Sequence, residues 1–333
     1  FNVTTYSGID AACEAFDTLG ASGILAFSQS ALKHFGNGDA IRGLERASGY
    51  VNMISKDYKV KIATHLDHGD YIDPNGKKII DAAIECLTSV MADNSTDHKS
   101  ETPRDLQENI EATRAVVMKA HPQGVSVEGE LGVLAGEEDE DTKAEFSSYT
   151  DPEELKEFLV KTGVLMLAPT IGTKHGPNKG KPGDVVKLNI KLAHELLEVA
   201  NKINNEIAFV AHGASTLYPE VIECAVSQLC QMGEISLAAT TWQNFVGTDW
   251  EQIKGLIDAG FCKINTDTEN RQTYLAALLK AIKNNPAKID IRYFEKQTYQ
   301  ALLQSYTQKL IMAGNYGVWH EPKIDVAQFK FTL

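Results

Sequence analysis

Short β-branched and apolar runs alternate with longer amphipathic stretches from one end of the chain to the other, and this alternation constrains the fold more than any other feature. Parallel strands can be joined only through crossovers that lay a helix on the sheet, so the pattern predicts βαβ units. Eight runs read as strands: 1–4, 23–27, 61–66, 89–92, 124–130, 164–170, 207–211 and 262–265. Stretches 8–19, 105–120, 152–161 and 188–204 carry the helical period between them.

Eight strands favour an α/β fold closed as a (β/α)8 TIM barrel over an open doubly wound sheet, which would usually carry a Gly-rich turn after its first strand. No GxGxxG occurs. The 333 residues, 43% of them hydrophobic, supply core enough for one barrel domain over 1–333, with a C-terminal helical region at 270–333. A net charge of -13 excludes nucleic acid and anionic membranes as natural partners, since both reward an excess of Lys and Arg. A small anionic substrate would instead need a local positive site. Five cysteines without a CxxC pair argue against a disulfide framework or a thiolate metal knuckle, and point to a reducing, cytoplasmic compartment. The N-terminus lacks signal-peptide regions, and no apolar run approaches the roughly 20 residues a bilayer requires.

In such a barrel the reactive groups stand at the C-terminal ends of strands, so the polar residues that close each apolar run carry the chemistry. Strand three closes with THLDHGD, bringing His65, Asp67 and His68; strand five closes with VEGELG, bringing Glu128 and Glu130. Strand six runs into GTKHG with His175, strand seven into AHGAS with His212 and Ser215, and strand eight into KINTDT. A catalytic zinc site takes three protein ligands and an open position, and His68, His175 and His212 fit that count from three strand ends. Single histidines are more often satisfied or exposed, but three at equivalent strand ends reverse that expectation.

The ordered series THLDHG, SVMADNS, VEGELG, AGEED, IGTKHG, AHGAS and KINTDT resembles the class II, metal-dependent fructose-bisphosphate aldolases over nearly the whole chain. FNV at the start is similar to that family's first strand, without the short helix that usually precedes it. The resemblance implies that His68, His175 and His212 hold a divalent metal, zinc or another, which stabilises an enediolate. Glu130 would be a supporting or alternative ligand, and Asp93 and Glu128 would orient ligands or hold a second cation. Asp67 would exchange the proton of the C4 hydroxyl, and Glu138, beside Glu137 on a polar loop, would move the proton at the nucleophilic carbon of dihydroxyacetone phosphate. Gly176, Gly213, Ser215, Asn265, Asp267 and Thr268 would hold the phosphorylated three-carbon unit, with Asn265 facing the reacting carbons. Ser28 and Lys179 would add contacts, and a sodium or potassium ion could sit near the phosphate.

Three departures bear on specificity. Ala214 stands where the family usually has glycine; about 25 extra residues lie around 224–250 relative to an ordinary barrel connection; and Arg292 and Lys296 replace the family's usual arrangement for a distal phosphate. The expected reaction is reversible cleavage of fructose 1,6-bisphosphate to dihydroxyacetone phosphate and glyceraldehyde 3-phosphate by a homo-oligomer. Tagatose 1,6-bisphosphate or a deoxy or sulfo analogue would use the same machinery. Three rivals are a Schiff-base aldolase using Lys263, a metal-dependent hydrolase on the same barrel, and a noncatalytic sugar-phosphate-binding barrel. Against the hydrolase, His65 and His68 lie three apart, and simple alternation would not turn both inward.

Overall fold

The computed structural model describes residues 1–97, 100, 102–132, 135–136, 149–175, 179, 186–231 and 236–333. Seven parallel strands form one curled sheet in the order β1 (Gly23–Phe27), β2 (Ile62–Gly69), β3 (Ser89–Ala92), β6 (Ser126–Leu131), β8 (Met166–Pro169), β10 (Ala208–Ala211) and β11 (Lys263–Ile264). Two short ladders stand apart: β4 (Thr96–Asp97) with β5 (Thr102–Pro103), and β7 (Ala135–Gly136) with β9 (Lys174–His175).

The predicted first strand is an extended segment rather than a full strand, and it spans the gap between the sheet's two edges. Val3 N donates to Ala26 O at 3.0 Å and Ala26 N to Phe1 O at 2.9 Å, while Asn2 N donates to Thr266 O just past β11 at 2.9 Å. These bonds close the barrel.

Between β1 and β8 run the helices α2 (Gln29–Phe35), α3 (Ala40–Ile54), α4 (Pro74–Cys86), α5 (Leu106–Ala120) and α6 (Pro152–Thr162), preceded by α1 (Tyr6–Leu19). Then come α7 (Ile190–Ile203), α8 (Pro219–Gln231), α9 (Ser236–Gln243), α10 (Trp250–Ala259), α11 (Thr268–Asn284) and α12 (Ile291–Met312). Asp39, Asp73, Asp105, Asp151, Asp249 and Asp290 each cap a helix through their carboxylates. Part of the acidic excess is therefore committed to orphan helix N–H groups.

Strand alternation sorts the core into two parts. Leu66, Val90, Val127, Leu167 and Phe209 face outward into the large core under the helices. Met91, Ala168 and Val210 face inward as a small separate cluster with Met166 packed on it. Glu128 and Glu130 point inward from β6, while Gly129 between them meets α6 so closely that an added Cβ would lie 2.7 Å from Phe158.

Candidate metal and phosphate site

Leu66 faces the helices, so alternation turns His65 and Asp67 of β2 into the barrel. The same rule would send His68 outward, and here the structure corrects the expectation. Pairing between β2 and β3 shifts between Leu66 and Gly69, and His68 adopts φ 49°, which returns its ring to the barrel mouth. A left-handed backbone at a non-glycine residue costs on the order of 1–2 kcal/mol and persists only where surroundings hold it. Gln29 Nε2 donates to the His68 carbonyl at 3.2 Å.

The His68 ring is fixed from both sides. Its Nδ1 lies 3.0 Å from Asp93 Oδ2 and 3.7 Å from Glu130 Oε2, and its Nε2 faces His212 Nδ1 at 3.0 Å. His212 Nε2 in turn lies 2.7 Å from Glu128 Oε1. When each outer nitrogen donates its proton to a carboxylate, each inner nitrogen keeps a lone pair aimed at the other. Two such lone pairs repel unless a proton or cation lies between them. Nitrogens each roughly 2.0–2.1 Å from a shared zinc ion would stand about that far apart, so the donor set fits a divalent metal. Two groupings, Asp67 with His68 and His212 and His68 with Asp93 and Glu130, have ligand atoms within 4.8 Å of one another.

Asp67 stands beside this pair. Its Oδ1 accepts from Asn265 Nδ2 at 3.0 Å and its Oδ2 from Asn2 Nδ2 at 2.6 Å. Burial would raise its pKa, but the positive charge that His68 and His212 carry when protonated, together with that of Lys263, outweighs burial and holds the carboxyl well below the usual range. Asn2 is a site residue that the motifs did not single out; the one available signal was a polar side chain inside an extended apolar run.

Glu128 is the hub beneath. It is fully buried, and Lys263 Nζ reaches its Oε2 at 2.6 Å. Burial raises its pKa, while Lys263 and His212 bring it down well below the carboxylate range. This ion pair engages the lysine that a Schiff-base reaction would need unprotonated. His65 serves the same hub: its Nδ1 lies 2.9 Å from Ser89 Oγ and its Nε2 3.6 Å from Glu128 Oε2. Burial, aided by the charge of Lys263, lowers its pKa to about 3, so it is a neutral support outside both ligand groupings.

Next to the histidines, the loop after β10 spends its carbonyls and keeps its N–H groups. Thr248 Oγ1 donates to Gly213 O at 2.9 Å and Thr248 N to Ser215 O at 3.0 Å. Lys179 Nζ donates to Gly213 O and, at 3.3 Å, to Ser215 O. Among the described residues, the backbone N–H groups of Gly213, Ala214, Ser215 and Thr216 have no protein acceptor. Ser215 Oγ accepts from Asp267 N at 3.2 Å and Thr268 N at 3.3 Å, the start of α11. The Asp267 carboxylate pairs with Arg271 at 2.8 Å. Such a loop at a helix N-terminus is chemically suited to an anion. Gly213 takes φ 60°, whereas Ala214 is buried with an ordinary backbone, so its methyl falls beside the permissive position rather than on it.

Lys179 is buried against those carbonyls, and burial lowers its pKa to about 7. Ser28 caps α2, its Oγ accepting from Ala31 N at 3.3 Å. Arg292 lies on the exposed first turn of α12, paired with Asp290 at 2.9 Å, and Lys296 is exposed one turn on. Neither joins the groups around Asp67. Glu138 and Gly176 lie outside the described residues, as does the His175 side chain, although the His175 backbone pairs with Gly136 on the β7–β9 ladder.

A family model described as fructose-bisphosphate aldolase class-II matches residues 1–317. The fructose-bisphosphate aldolase of Thermus caldophilus is 31% identical over 318 residues, covering 95% of this chain and 92% of the relative. That of Helicobacter pylori strain J99 is 30% identical over 319 residues, with 95% and 92% covered. Among solved structures, the YdjI aldolase of Escherichia coli K12 superposes with a TM-score of 0.67 at 24% identity over 95% of this chain and 91% of that one. The fructose-bisphosphate aldolase of Campylobacter jejuni gives a TM-score of 0.71 at 19% identity, covering 95% and 89%. These likenesses carry the barrel fold, and the family match together with the identity to its relatives decides the rest: the chain belongs to the class II fructose-bisphosphate aldolase family, whose members depend on a metal.

Proposed function

We propose that this chain cleaves a phosphorylated ketose, fructose 1,6-bisphosphate, reversibly into dihydroxyacetone phosphate and glyceraldehyde 3-phosphate. The observation that carries the reading is the pair of inward ring nitrogens 3.0 Å apart beside the buried carboxylate of Asp67. His68, His212 and His175 would hold the metal, with Glu130 and Asp93 in support, and a nitrogen-rich set favours zinc. A divalent cation bound there would supply Lewis-acid polarisation of the ketose carbonyl.

The chain's own residues supply the proton transfers. Asp67, kept ionised by its neighbours, accepts the C4 hydroxyl proton as the C3–C4 bond breaks and its electron pair passes toward the C2 carbonyl. Asn265 and Asn2 hold the Asp67 oxygens in place, and Asn265 faces the reacting carbons. Glu138 returns a proton to C3 of the dihydroxyacetone phosphate product. The N–H groups of 213–216 and the start of α11, with Ser28 and Gly176, bind the phosphorylated unit. A sodium or potassium ion there would compete with Lys179 for the carbonyls of Gly213 and Ser215. Arg292 and Lys296 would reach a distal phosphate in a neighbouring subunit of a cytoplasmic homo-oligomer. No described helix is long and apolar enough to cross a membrane.

A coupled assay on the metal-stripped and zinc-restored protein tests this reading, with fructose and tagatose 1,6-bisphosphates as substrates. Activity lost on stripping and regained with zinc supports it. Lysine labelling by borohydride in the presence of substrate, with activity unaffected by chelation, would replace it with Schiff-base chemistry.

A further inference from the structure

Behind the loop that follows β10 lies a buried lysine that no motif marks. Lys309, near the end of α12, is 6% exposed, and its Nζ donates to Thr216 Oγ1 and lies 3.1 Å from Glu269 Oε1 in the first turn of α11. The rings of Tyr218 and Trp250 flank the ammonium, with centroids at 5.2 and 5.6 Å. Holding a long cationic side chain out of water is costly, and the arrangement returns that cost only through its partners.

Those partners share one property: each belongs to, or abuts, the N–H-rich loop or the helix start that faces it. Thr216 ends the loop, Tyr218 follows it, Glu269 follows Thr268, and Trp250 follows the Thr248 segment that binds the Gly213 and Ser215 peptides. Lys179, bonded to the loop's carbonyls, also feels the charges of Glu269 and Lys309. Asp267 is offset by Arg271, so the Lys309 ammonium, with the Lys179 amine nearby, stands against the Glu269 carboxylate behind a row of N–H donors. A phosphate dianion needs local positive potential of this kind, because the chain's overall charge of -13 would repel it.

We propose that Lys309 is a positioning residue for phosphate: it pins the Thr216 end of the loop to the start of α11 and supplies charge beneath the bound anion without touching it. The proposal rests on the reading above that residues 213–216 bind the substrate phosphate.

The test pairs steady-state kinetics on fructose 1,6-bisphosphate with calorimetric titration of inorganic phosphate, for the intact chain and for K309M, K309R and T216V. K309M is expected to raise KM and the phosphate Kd together by about tenfold or more, with kcat within about threefold, as loss of uniform ground-state binding requires. K309R should recover most of both, since it keeps the charge, and T216V should shift both several-fold in the same direction. Unchanged phosphate affinity in K309M, a loss confined to kcat, or K309R no better than K309M would overturn the proposal. If K309M does not fold, K309R and T216V decide: near-normal affinity in the first with weakened affinity in the second supports it, and unchanged affinity in T216V overturns it. A chain that binds phosphate through Lys309 but cleaves no ketose phosphate would refute the proposed function and leave this inference standing.

Discussion

At the residue scale, Asp67 is buried and yet its carboxyl is held well below the usual range, because the charges of His68, His212 and Lys263 outweigh the cost of burial, while Asn2 and Asn265 hold its oxygens in place. Replacing it with asparagine keeps the shape and removes the proposed base. We expect Asp67→Asn to lower kcat by about 10²–10⁴, the usual weight of a positioned acid-base group, with bound metal content unchanged by elemental analysis. Asn2→Ala should lower kcat less, by about tenfold, because one of two tethers on the carboxylate remains. The grouping of His68, His212 and Asp67 was legible in the sequence because each closes an apolar run at the C-terminal end of a strand. The inward turn of His68 was not, because it depends on a register shift against β3, which is a property of pairing and not of the string HLDH. Asn2 escaped for a related reason: its importance comes from its position across the seam that closes the barrel.

At the scale of elements, seven of the eight predicted strands are present in the sheet, because period and punctuation report directly on burial. Boundaries were less legible where chemistry intrudes. β2 runs on to Gly69 through polar site residues that an apolar pattern cannot include, and residues 1–4 form bridging bonds rather than a ladder. Gly129 shows why the VEGEL run has its composition: two carboxylates point inward from alternate positions while the residue between must leave room for Phe158. Gly129→Val should destabilise the fold by about 1–3 kcal/mol, the range for overpacking, measured as a lower urea midpoint at unchanged m-value. The buried pair of Arg104 and Asp70, 2.7 Å apart just beyond the site on β2, is a second lever. Arg104→Met leaves that carboxylate unpaired and should cost about 3–5 kcal/mol in the same measurement.

Over the whole molecule, the region 270–333 expected to be helical is so only as far as Met312, and the segment after α12 acts instead as a strap without regular period. Gly317 N donates to Leu19 O, Lys323 N to Thr18 O, and Phe331 packs on Tyr218 with centroids 4.9 Å apart. Lys323 and His320 converge on Asp17 at the end of α1. Burial raises the Asp17 pKa, but Lys323 and the Lys59 N–H more than reverse this, so its folded value lies below 3.8. A depressed carboxyl contributes stability that is present above the unfolded value near 3.8 and lost as pH falls through the lower folded value. Asp17→Asn should therefore cost about 1–3 kcal/mol at pH 7, speed proteolytic cleavage of the strap, and flatten the acid limb of the stability curve. The account as a whole depends on a cation joining two strand ends across the barrel mouth. Its most direct test is zinc binding to the metal-free protein, by calorimetry on the native chain and on His68→Ala and His212→Ala. The account predicts one tight site per chain, weakened at least about a hundredfold by either substitution and matched by the return of ketose bisphosphate cleavage. Tight zinc binding that survives both substitutions, or cleavage that proceeds fully without metal, would contradict it.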